Sequence, residues 1–169
     1  MKTIIVGFSR PIKWKPFAWA IMKSYGTNYD HVYMKFHSDS LQRDIIYQAS
    51  SVMVNFMSTS VFTSNNVIVK EFPVQVSDDN YTKLMQFCVD NAGKPYSLKE
   101  VLGFACTVIV GWFGKKIANP FKSGTDEFVC SVLAGYILDN YTDNKTPGDF
   151  EEADPTVIYN LLEKSVSVS

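Results

Sequence analysis

The sequence predicts an α+β fold, an antiparallel β-sheet packed against helices with a cysteine at a helix N-terminus, and three observations carry that expectation. From His31 to His37, and again over Asp44–Ser50, apolar and polar residues alternate as they do in half-buried strands. The polar turn Ser38–Arg43 between them is short, so the two strands form an antiparallel hairpin. Pro16–Tyr25, Ser77–Asn91 and Thr125–Leu138 instead carry helical spacing or helix-end signals.

With 169 residues, 46% of them hydrophobic, the chain suits a single domain with a sizeable core. A net charge of -1 gives no electrostatic case for nucleic acid. Cys88, Cys106 and Cys130 cannot all pair, and with only two histidines their spacing matches no metal motif, so no metal or other cofactor is expected. Unpaired thiols point to a reducing compartment. The segment after Met1-Lys2-Thr3, IIVGF, is too short for a signal core, so a cytoplasmic location without a signal peptide is expected. No run reaches the roughly 18 apolar residues of a transmembrane span.

Taken in order, Thr3–Phe8 reads as a short strand. Pro16 opens a helix at its first position and Gly26 follows its end, with Phe17, Ala20 and Ile21 facing inward. Trp14 and Trp19 belong either to the core or to a pocket wall. In the His31 strand Val32, Met34 and Phe36 face the core, while His31, Tyr33, Lys35 and His37 take the opposite, polar side. In the next strand Ile46, Gln48 and Ser50 share a face opposite Ile45, Tyr47 and Ala49. Val52–Met57 and Val67–Phe72 are further strands, the last closed by Pro73. Ser77 caps a helix ended by Gly93, with Asp78 and Asp79 in its first turn; Tyr81, Leu84, Met85 and Cys88 lie along one side, making Cys88 core. Val101–Phe113 reads as a buried helix with Cys106 inert inside it, and Gly114–Gly124 as a basic loop. Asp139–Asp154 is a polar connection, and Asp154-Pro155 starts a last helix over Thr156–Lys164.

In TDEFVCSVLAGYIL, Thr125 is the expected N-cap, with Asp126 and Glu127 favoured by the helix dipole. Cys130 then sits in the first turn beside unpaired N–H groups, which lower a thiol's pKa and offer donors to an oxyanion. The ordinary alternative is a small buried helix residue. A nucleophilic cysteine also needs a base and a group to orient the base. His31 on one strand and Gln48 on the next supply those types, although types alone say little.

The stretches DHVYMKF, IIYQAS, GKPYS and FVCSVLAGYIL, in that order, resemble the circularly permuted branch of the NlpC-type papain-like hydrolases, the YiiX-like proteins, related to lecithin:retinol acyltransferase-like enzymes. In that branch the histidine strand precedes the cysteine helix, as here, and the resemblance runs from His31 to Leu138. It implies a permuted papain-like fold with Cys130 as nucleophile, His31 as base, Gln48 in the orienting position and Tyr96 near the oxyanion hole. Two features depart from the pattern. Gln48 stands where many relatives carry His, Asn or Glu, and an amide orients imidazole without stabilising its charge as a carboxylate does. The long apolar segment Val101–Phe121 replaces a short glycine-rich connection.

The implied activity is that of a cysteine hydrolase of the amidase or peptidase type, working through a thioester at Cys130 on a peptide or cell-wall stem peptide. A lipid acyl hydrolase or acyltransferase, and an inactive binding module of the same fold, are the alternatives. An activated Cys130 is expected to be the most readily alkylated cysteine, with the His31 ring within hydrogen-bond reach of both Cys130 and Gln48. Val101–Phe113, followed by Lys115, Lys116 and Lys122, is either core or an apolar wall beside the Cys130 groove that makes peripheral membrane contact. Small size without an export signal suits a bacterial or phage protein.

Overall fold

A computed structural model describes residues 1–50, 52–95, 129–146 and 154–167. Tyr96, Cys106 and the Val101–Phe121 segment, with the readings made of them, lie outside the described residues. The five strands are β1 (Lys2–Pro11), β2 (His31–Ser38), β3 (Arg43–Ala49), β4 (Val54–Ser58) and β5 (Asn66–Val76). They form one antiparallel sheet in the order β4-β3-β2-β1-β5. Among the described residues the helices are α1 (Pro16–Tyr25), α2 (Thr59–Thr63), α3 (Asp78–Asn91), α4 (Cys130–Tyr141) and α5 (Pro155–Ser167). The architecture is therefore α+β.

Strand alternation decides what each face meets. Val32, Met34 and Phe36 on β2 and Tyr47 and Ala49 on β3 are buried in one cluster with Leu84 and Cys88 of α3, Leu133 and Ile137 of α4, and Ile158 and Leu162 of α5. α4 carries apolar residues around most of its circumference and is buried accordingly, down to Gly135. α5 starts where Asp154 Oδ1 accepts from the N–H groups of Thr156 and Val157, at 2.7 and 3.0 Å. Its Tyr159 packs edge-on against Phe8 and Phe72, at ring separations of 5.1 and 5.3 Å. Each such pair contributes about 1 kcal/mol beyond the area it buries.

The opposite face is not simply polar. Ser58 accepts from the N–H of Val61 and starts α2, which the sequence reading did not include. Phe62 of α2 covers Tyr33 and Ile46 in a second, smaller cluster. Tyr33 is thus 1% exposed, and its hydroxyl donates to Glu71 on β5 at 2.7 Å.

Other boundaries shift for physical reasons. β5 runs on through Pro73 to Val76, because it is the outermost strand, where a residue without an N–H is tolerated. α1 matches Pro16–Tyr25, with Gly26 left-handed at φ 64, but it turns Ala18 inward and leaves Phe17 exposed. α4 begins at Cys130 with Val129 as N-cap, so Thr125 is not its cap and no acid lies in its first turn.

Candidate functional site

His31 is the first residue of β2, and the backbone N–H of Asp30 before it donates to Ser9 O on β1 at 3.1 Å. The β2–β3 register pairs Met34 with Tyr47 and Lys35 with Ile46, which puts Gln48 on the His31 side of the sheet. His31 Nε2 lies 2.7 Å from Gln48 Oε1. An amide oxygen only accepts, so Nε2 carries the proton and Nδ1 keeps its lone pair.

Gln48 is held in turn. It is 5% exposed and lies directly opposite Asn55 of β4. Its Nε2 donates to Asn55 Oδ1 at 3.5 Å and to Met57 Sδ at 3.3 Å. Asn55 Nδ2 donates to Ser50 Oγ at 3.0 Å and Met53 O at 3.2 Å. This chain points the Gln48 oxygen at the imidazole. Sequence reasoning missed Asn55; the available signal was an Asn inside a strand, where that residue is depleted.

Cys130 occupies the first position of α4, ahead of the first helical bond from Leu133 N–H to Val129 O at 2.9 Å. The N–H groups of Cys130 and Ser131 are therefore free of the helical ladder, and they are directed at the sulfur together with the N–H of Val32. Val32 follows His31, so both candidates lie at one end of β2, the His31 ring on the Gln48 face and the Cys130 helix on the Val32 face. Among the described residues no hydrogen bond joins the His31 ring to the thiol, whose contact with β2 is the Val32 N–H. Of the expected pair of contacts to His31, the Gln48 one is present.

The electrostatics correct one expectation. Burial pushes the Cys130 thiol up to about 11, reinforced by the Asp30 carboxylate and only partly offset by the N–H donors. The helix N-terminus does not prevail, because Cys130 is only 6% exposed and a thiolate loses its hydration there. Burial likewise lowers the His31 pKa, against upward pulls from Asp30 and Gln48. Thiol and imidazole are both neutral at rest. Cys88 is fully buried in the core, as expected, and burial raises its thiol too.

Two further groups were missed. Burial raises the Asp30 carboxyl, His31 and Lys15 opposing, and among the described residues its buried Oδ1 has no hydrogen-bond partner. Ser9, opposite His31 in the β1–β2 register, is fully buried, and its Oγ also lacks a partner among the described residues. The signal for Asp30 was its place directly before His31.

Lys15, which acts on both Asp30 and His31, also lines a groove of about 320 Å³ between the end of β1 and α1. Trp14 and Trp19 form its wall and are 73% and 48% exposed, so they are pocket residues rather than core. Among the described residues no group of three His, Cys, Asp or Glu side chains is placed to hold a metal ion. No family model matches the sequence, and no curated protein matches it either.

Proposed function

We propose that the protein is a cysteine hydrolase of the permuted papain-like kind, cleaving amide substrates through a thioester at Cys130. The observation that carries this reading is the 2.7 Å contact from His31 Nε2 to Gln48 Oε1, which leaves Nδ1 as a free base at the start of β2, the strand whose Val32 N–H acts on the thiol. A substrate carbonyl reaches Cys130 Sγ, and the thiol proton passes to His31 Nδ1 as the S–C bond forms. Nε2–H stays on Gln48 throughout, so the ring keeps one orientation while its charge changes. The N–H groups at the start of α4 face the oxyanion. Collapse breaks the C–N bond, and the imidazolium gives its proton to the departing amine. Water, deprotonated by the neutral imidazole, then hydrolyses the thioester and restores the thiol.

Starting from a neutral pair is compatible with this sequence of steps. Thiolate and imidazolium formed together in a buried site offset each other's lost hydration, whereas either alone does not.

Burial of Cys130 specifically favours a second reading, in which the fold binds a ligand without turning it over. A p-nitrophenyl acetate assay followed by intact mass spectrometry separates the two. The hydrolase reading expects an acetyl adduct on Cys130 that then decays, lost in Cys130→Ala and slowed about a hundredfold or more in His31→Ala. No adduct, or equal rates in wild type and His31→Ala, leaves the binding module. Equal turnover of short-chain and long-chain thioesters favours the amide substrate over an acyl lipid.

A further inference from the structure

The strongest unassigned surface lies at the far end of β1. Ile12, Trp14, Phe17 and Trp19 are 55, 73, 43 and 48% exposed within eight residues of chain. The β1–β5 register continues the patch sideways, pairing Arg10 with Val67, which is also exposed and lines the same groove. An apolar surface of this kind on a folded domain marks a contact site more often than it marks chance.

Charge selects the partner. All 17 acidic residues lie at or beyond Asp30, whereas Lys2, Arg10, Lys13, Lys15 and Lys23 lie before it. Arg10 and Lys13 form no ion pair with a carboxylate among the described residues. Arg10, Lys13 and Lys15 line the same groove as Trp14 and Trp19, so cations and exposed tryptophans share one surface.

We propose that the β1–α1 end docks on an anionic membrane surface. Trp14, Phe17, Trp19 and Ile12 enter the boundary between head groups and acyl chains, while Arg10, Lys13 and Lys15 face the lipid phosphates. Indole suits that boundary, since its body is apolar and its N–H finds polar partners. Single-stranded nucleic acid also takes tryptophans and cations, but it stacks on π faces, which Ile12 and Val67 do not have. A bilayer uses aliphatic and aromatic side chains alike. The docked face includes Lys15, so the groove beside Asp30 and His31 lies next to the lipid. This docking does not depend on the Val101–Phe121 segment or on hydrolase activity.

The test is sedimentation of the full chain with vesicles of phosphatidylcholine alone and with phosphatidylserine added. Wild type is expected to pellet with the anionic vesicles only, and less as salt rises. Arg10→Gln and Lys13→Gln each weaken binding about fivefold. Trp14→Ser with Trp19→Ser weakens it about tenfold or more, with far-UV circular dichroism unchanged. In a Trp112→Phe background, tryptophan emission shifts to the blue on adding anionic vesicles. The proposal is overturned if wild type stays in the supernatant with both vesicles, if the double tryptophan variant pellets like wild type, or if a single-stranded oligonucleotide competes the protein off.

Discussion

Tyr33 lies so close against Gly7 that a Cβ on the glycine would stand 2.1 Å from the tyrosine ring. The two are paired across β1 and β2, and the ring passes over β1 to reach Glu71 on β5, which also takes Lys35 Nζ at 2.7 Å. Neither ring nor backbone has room to yield. Gly7→Ala is expected to cost about 1–3 kcal/mol, at the upper end of that range. Chemical denaturation checks it, and an unchanged midpoint would sink the packing argument.

Gln48 is expected to act by orientation. Gln48→Leu removes the acceptor for His31 Nε2–H and leaves that donor buried, costing about 1–3 kcal/mol of stability and about tenfold or more in ester reactivity. Gln48→Glu supplies a carboxylate, which raises the His31 pKa and moves the rise of the pH–rate profile upward. A profile identical to wild type in Gln48→Glu would argue against contact between this side chain and the working base.

The two buried neutral groups set opposite limits on stability. The folded His31 pKa is below its unfolded value, so stability is present at neutral pH and falls as pH drops below about 6.5. For Cys130 the folded value is raised to about 11, so stability falls as pH climbs above about 8.5. His31→Gln should flatten the acid limb between about pH 6.5 and 5, before most carboxylates titrate. Cys130→Ala should flatten only part of the alkaline limb, because Cys88 is raised in the same direction. Melting temperatures across pH read both effects.

Asp30 gives a prediction in which stability and function part. Its folded pKa is raised, so ionisation above about pH 4 costs the folded state stability. Asp30→Asn is expected to raise the melting temperature at neutral pH by a few degrees. The same change removes an upward pull on His31, making it a weaker base, so ester reactivity should fall. A variant less stable than wild type at pH 7 would contradict this account.

Much of this was legible because it is local. Pro16 and Gly26 bracket α1, Asp154-Pro155 starts α5, and alternation over β2 and β3 places Gln48 beside His31. What was not legible depends on distant chain. Tyr33 reads as a polar-face residue until Phe62 covers it, and Pro73 reads as a strand terminator until β5 proves to be outermost. Thr125 and its acids read as a helix start, yet α4 begins at Cys130. Burial of Cys130 under this packing then reversed the direction its helix position suggested.

Pro73 has a consequence for how the protein behaves in concentrated solution. β5 spans 11 residues at the margin of the sheet, long enough to template a foreign strand. A newcomer laid along it would meet no donor at Pro73, and just before that a charged pair, Lys70 and Glu71, on neighbouring residues. The ladder breaks at the eighth of its 11 residues, leaving three residues on one side and, on the other, seven that include the charged pair. The residue that breaks the rules of a strand makes this edge a poorer template for a second sheet.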